Sequence, residues 1–219
     1  MLDFAGTLLV PAPPVDWLRQ VIGEDDPELA ERLEAAGRPG GPEPQTLPAG
    51  LADDYARRDT SAALHRHVYV ALLSQVVEPS LAAALYEVGC RAPGWTPYPD
   101  TAPTLRALQA AGIGVNVVSN VGFDLRALFA KHGLADPVDA FVSSCELGVM
   151  KPDPVIFQAA LDRLGTTAER ALMVGDNPSA DAGAVALGIR TLLLPYSQPG
   201  LPHGLDAVLR LAQIESPSA

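Results

Sequence analysis

Cations are scarce in this sequence, and lysine is scarcest: Lys131 and Lys151 are the only two in 219 residues. Lys and Arg number 15 against 26 Asp and Glu, a formal charge of −11. Such a chain repels polyanions, so nucleic acid is a poor partner. Cysteine is as rare. Cys90 and Cys145 fit no metal-ligand or CxxC spacing and read as reduced, structural thiols. No apolar run approaches the ~20 residues that cross a bilayer. Residues 1–10 carry no basic leader and hold Asp3 within their apolar stretch. No membrane partner and a cytoplasmic location are therefore expected. The P-loop pattern GxxxxGK[ST] is missing, and Gly112 and Gly114 precede a strand rather than follow one, which argues against a dinucleotide fold.

What is present describes a packed globular protein, with 48 % hydrophobic and 19 % charged residues. Strands are expected at 114–119 (GVNVVS), 140–143 (AFVS), 171–175 (ALMVG) and 191–194 (TLLL). Helical patterns lie between them at 123–132, 154–164 and 179–187, each followed by a glycine suited to a helix C-terminus, and another at 101–111 precedes the first of these strands. This alternation predicts an α/β fold with a parallel sheet covered on both faces. Residues 1–8 form a further short apolar segment. Residues 37–50 hold eight Gly or Pro in fourteen positions and read as a loop, while 51–77 and 80–90 return to helical patterning. Residues 11–97 thus read as a helical insert in a core made of 1–10 and 98–219. The tail beyond Glu215 is expected to fray.

Ligands of open α/β sheets collect at the carboxyl ends of the strands. The residues expected there are Asp3-Phe4-Ala5-Gly6-Thr7, Ser119-Asn120, Lys151 in a loop, and Gly175-Asp176 with Asp181 beyond. They supply a carboxylate nucleophile, hydroxyls, one lysine and two further carboxylates, which is what metal-assisted phosphoryl transfer requires. Hard oxygen donors suit Mg²⁺.

In this order the segments resemble the haloacid dehalogenase superfamily: Asp-x-Asp-Gly-Thr with one departure, a Ser ending a strand, a Lys, and Gly-Asp followed by a second Asp. The resemblance implies a Rossmann-like parallel sheet core flanked by helices, with a helical cap inserted after the first motif. It implies Asp3 as nucleophile, with Lys151 and Ser119 as catalytic partners. Asp3, the Ala5 carbonyl, Asp176 and Asp181 would serve the metal, and Thr7 and Asn120 would hold phosphoryl oxygens. The cap would select substrate. Its most cationic stretch, 53–69, offers Arg57, Arg58, His65, Arg66 and His67, of which Arg57, His65 and Arg66 are taken as substrate contacts.

The departure is Ala5, where phosphatases of this superfamily carry the aspartate that protonates the leaving oxygen. Phosphonoacetaldehyde hydrolases share Asp-x-Ala-Gly-Thr but need a cap lysine, and residues 11–97 contain none. L-2-haloacid dehalogenases carry Tyr there and lack the Gly-Asp motif. The expectation is a Mg²⁺-dependent phosphatase acting on a small phosphorylated molecule, as monomer or homodimer. Its substrate would be activated, or its acid would come from elsewhere, such as a histidine of the insert. The alternative is a protein that binds a phosphorylated ligand without turning it over. Only two residues precede Asp3, so either the first strand is unusually short or the true start lies upstream; a start at Met1 would put an ammonium near the catalytic carboxylate.

Overall fold

The computed structural model describes residues 1–195 and 197–214. The expected frayed tail lies outside them. Four strands make the parallel part of the sheet: β3 (Asn116–Ser119), β4 (Ala140–Ser143), β5 (Leu172–Gly175) and β6 (Arg190–Leu193). β3 pairs with β4 and β5 with β6, and Leu2 bridges Val117 on one side and Val174 on the other. The order across the sheet is therefore β4, β3, the segment at Leu2, β5, β6. The expected first strand is shorter than residues 1–8. Its ladder with β5 runs from the Met1 ammonium, which donates to the Leu172 carbonyl at 2.9 Å, to Asp3 N, which donates to the Val174 carbonyl. Beyond it Gly6, at φ +78°, turns the chain away.

Alternation along these strands builds two cores, because successive side chains point to opposite faces. Leu2, Val117 and Val174 enter one cluster with Phe4, Leu105 and Phe129. Met1, Val118 and Met173 enter the other with Ile156 and Phe157. Helices α6 (Thr101–Ala110), α7 (Leu125–Lys131), α9 (Pro154–Leu164) and α10 (Asp206–Leu211) supply the covering residues, and α8 (Ser144–Leu147) follows β4 directly. α9 shows why its sequence starts and stops where it does. Asp153 caps Val155 N, Pro154 occupies the first turn, and Gly165 takes the left-handed conformation at the end. The helix expected at 179–187 is instead a 3-10 helix, Asp181–Leu187. There Gly183 lies so close to Pro152 that a Cβ would meet its carbonyl oxygen at 2.6 Å. α10 had no counterpart in the sequence reading.

The insert leaves and returns on an antiparallel ribbon, β1 (Leu9–Pro11) with β2 (Trp95–Pro97). Between them stand α1 (Pro14–Ile22), α2 (Pro27–Ala36), α3 (Ala52–Ala56), α4 (Ala62–Leu73) and α5 (Pro79–Gly89), with the glycine- and proline-rich loop between α2 and α3. They share their own core of Trp17, Leu18, Leu33, Val68, Leu72 and Leu85. The helical stretch expected at 51–77 is broken by a 3-10 turn, Arg58–Thr60, because Ser61 stops it by capping α4 through Leu64 N. No helix among the described residues is long and apolar enough to cross a membrane.

Candidate active site

The carboxyl ends of β3, β5 and the Leu2 segment converge on Lys151. Its ammonium donates to Asp3 Oδ1 at 2.7 Å, to Asp181 Oδ1 at 2.6 Å and to the Val118 carbonyl at 3.0 Å. Lys151 and Asp3 are buried, and Asp181 is fully so. Burial alone would lower the lysine pKa, but the two carboxylates outweigh it and hold it above its ordinary value. Burial raises Asp3 to about 7, opposed by Lys151 and reinforced by Asp181 and Asp176. Asp176 is also raised, by burial and then by Asp181. The second oxygen of Asp181 accepts from Asn177 N at 3.0 Å.

Three carboxylates thus meet on one spot, with a ligand atom of each of Asp3, Asp176 and Asp181 within 4.8 Å of the others. Two glycines permit this crowding. A Cβ on Gly6 would stand 2.4 Å from Asp176 Oδ2, and one on Gly175 would stand 2.0 Å from Asp181 Oδ2.

The expected phosphoryl contacts fare unevenly. Ser119 lines the cavity above Asp3, as does Asn120. The Asn120 amide, however, is occupied with the Lys151 backbone, donating to its carbonyl at 2.9 Å and accepting from its N–H at 2.6 Å. Thr7 is buried outside the cavity wall and points its hydroxyl at Asp176 Oδ1, 3.4 Å away. Its position serves Asp176 rather than a substrate oxygen, a correction to the sequence reading.

Residues of the insert close the cavity, whose volume is 330 Å³. Of the expected substrate contacts only His65 lines it. Arg57 is exposed and paired with Asp54 at 2.7 Å, and Arg66 is exposed beside Glu87 at 3.7 Å; neither reaches the cavity. Both are corrections. Within α4, His65 and Tyr69 are four apart and share the face turned to the core, while Arg66 falls beside it. Tyr55 in α3 and Arg58 in the 3-10 turn reach the cavity because the chain breaks between α3 and α4, and a helical pattern read through 51–77 carries no signal of that. Arg58 donates to the Tyr55 carbonyl at 2.8 Å and to the Tyr69 hydroxyl at 3.1 Å, and lies 4.0 Å over the Tyr55 ring. His65 Nδ1 is 2.8 Å from the Tyr86 hydroxyl, and burial, then Arg58, pushes its pKa down to about 3, so it stays neutral.

A family model for haloacid dehalogenase-like hydrolases matches residues 1–187. The chain belongs to that family. This hydrolase is similar to a phosphoglycolate phosphatase of Rhodospirillum rubrum, 35 % identical over 207 residues that span 90 % of this chain and 78 % of the relative. It is also similar to (S)-2-haloacid dehalogenase 1 of a Pseudomonas species, 32 % identical over 125 residues, 53 % of this chain and 55 % of that one. Among solved structures, a haloacid dehalogenase-like phosphatase from Thermococcus onnurineus superposes with a TM-score of 0.63 at 24 % identity, covering 98 % of this chain and 97 % of the other. At that identity the likeness speaks for the fold alone.

Proposed function

We propose that this hydrolase is a Mg²⁺-dependent phosphatase of small phosphorylated molecules that works through an aspartyl-phosphate on Asp3. The observation that carries the reading is the carboxylate trio of Asp3, Asp176 and Asp181 held about one lysine. Lys151 pairs with Asp3 and Asp181 only, so three carboxylates gather around a single cation and repel one another, and a divalent cation is the natural occupant. The side-chain donors of Asp3, Asp176 and Asp181 are all hard oxygens, Ala5 lines the same cavity, and that set fits Mg²⁺. When bound, the ion would neutralise phosphoryl oxygens and favour attack by an anionic nucleophile.

The chain's own residues do the rest. Lys151 fixes one oxygen of Asp3 and leaves the other for phosphorus. Ser119 offers a hydroxyl to a phosphoryl oxygen. Asn120 fixes the loop that aims the lysine, and Thr7 steadies Asp176. The insert, seated over the cavity with Arg58, Tyr55 and Tyr69, excludes water and meets the remainder of the substrate. Dehalogenation is the less favoured chemistry, because the trio concentrates negative charge where a haloacid carboxylate and a departing halide would need positive charge.

The second reading, ligand binding without turnover, rests on Ala5, which leaves the usual proton donor absent. Phosphate release from a panel of alkyl, aryl and acyl phosphates, with Mg²⁺ or EDTA, separates the two. Mg²⁺-dependent release that is lost in Asp3→Asn supports the phosphatase. Tight binding of phosphate esters with no release would favour the binding protein.

A further inference from the structure

Two carboxyl groups that line the cavity are left unused by the reading above, Glu43 and Asp59, and Glu43 is exposed while Asp59 is buried. Asp59 is 6 % exposed and lines the same cavity as Asp3. Among the described residues its carboxylate accepts no hydrogen bond. His65 Nε2 stands 3.6 Å from Oδ1 and Arg58 Nε 3.8 Å from Oδ2, both beyond bonding distance. With no fixed donor on its oxygens and a place on the cavity wall, this carboxyl is left available to a ligand in the cavity. Its backbone is anchored across the two parts of the molecule. Ser144 Oγ donates to the Asp59 carbonyl at 2.6 Å and accepts from Val121 N at 2.9 Å. The turn Arg58–Thr60 is thereby pinned to the loop that follows β3, the same loop that carries Asn120 into the cavity.

We propose that Asp59 supplies from the insert the general acid and base that the core lacks at Ala5. The proposal rests on the phosphatase reading. In the first half-reaction an Asp3 oxygen bonds to phosphorus as the bond from phosphorus to the alcohol oxygen breaks. The electron pair leaves with that oxygen, which takes the proton of Asp59. In the second half-reaction water bonds to phosphorus and gives a proton to the Asp59 carboxylate. The bond between phosphorus and Asp3 breaks, restoring Asp3 as a carboxylate and Asp59 as an acid.

The surroundings suit a carboxyl that must hold a proton and then release it. Burial lifts Asp59 above the ordinary carboxylate range, with Arg58 and then Lys151 opposing. Facing it are Arg58 on its own turn, His65 and Tyr69 from α4, Cys90 after α5, Cys145 in α8 and Lys151 from the core. The histidine acid expected from the insert is not His65. That ring is held neutral and its Nδ1 is engaged by Tyr86.

The test compares wild type with Asp59→Asn in Mg²⁺ on glycerol 2-phosphate, whose alkoxide must be protonated, and on 4-nitrophenyl phosphate, whose phenolate leaves unaided. The variant should lose about 10²–10⁴-fold on the alkyl ester and much less on the nitrophenolate burst. The ratio of the two losses is internal to one preparation, so misfolding cancels from it. The alkaline limb of the kcat/KM profile on the alkyl ester should also vanish. Equal losses on both substrates in first-turnover release of the leaving group, or no loss on either, would overturn the proposal while leaving the phosphatase intact. A wild type that releases phosphate from neither ester would overturn the reading beneath it as well.

Discussion

Asn120 grips Lys151 by its backbone rather than its side chain, with Oδ1 on the lysine N–H at 2.6 Å and Nδ2 on its carbonyl at 2.9 Å. The arrangement joins the end of β3 to the loop before α9, and so sets where the ammonium can reach. Asn120→Ala removes both bonds and is expected to cost about 1–3 kcal/mol of stability, with kcat falling more than KM rises. Thermal melts beside steady-state kinetics check this. A variant with normal kcat would mean that Lys151 is positioned by its ion pairs alone.

Lys151→Met strips the cation from between Asp3 and Asp181. Breaking a buried pair this way typically costs about 3–5 kcal/mol, and the loss should be largest in EDTA. Mg²⁺ should recover part of it, because binding to the folded state adds to stability. Melting curves with and without Mg²⁺ read the difference. A melting temperature equally low in both conditions would show that the trio does not take the cation.

Gly122 sets how closely the insert seats. A Cβ there would stand 2.1 Å from His65 Cβ. Gly122→Ala should therefore push α4 off the core at a cost of about 1–3 kcal/mol to the closed arrangement. KM should rise by on the order of tenfold, since RT ln 10 is about 1.4 kcal/mol. The melting temperature should move little, because the insert keeps its own apolar core. Unchanged KM would show that closure does not depend on this contact.

His65 carries a pH signature. Its folded pKa of about 3 lies below the ordinary 6.5, so between these values the unfolded chain binds a proton that the native protein does not. Its contribution is complete above pH 6.5 and is lost as pH falls toward 3, at up to roughly 1.4 kcal/mol per pH unit. Denaturant midpoints of wild type and His65→Gln at pH 5 and pH 7 isolate the term. Wild type should lose more stability than the variant on going to pH 5, and parallel losses would contradict the burial of this ring.

How legible all this was in the sequence divides along physical lines. β4 and α9 fell on their expected residues, since strand alternation, Asp153 and Gly165 are local signals. Asp3 and Asp176 could be placed at strand ends after apolar runs, while Lys151 and Asp181 were named through the order of motifs in the family resemblance, and the structure brings all four together. The Thr7 hydroxyl could not be placed, because whether it meets a substrate or Asp176 depends on how far Gly6 turns the chain. Asp59 was overlooked among three neighbouring arginines and two histidines. Its significance comes from the missing side chain at Ala5, more than fifty residues away, and no local pattern carries that link.

The most direct test of the account is an acid-quenched single turnover of radiolabelled phosphate ester in Mg²⁺, followed by peptide mapping. The account predicts label on the peptide containing Asp3, absent from Asp3→Asn and from wild type in EDTA. Phosphate released with no label ever appearing on Asp3, in an enzyme that turns over at the same rate as Asp3→Asn, would contradict it.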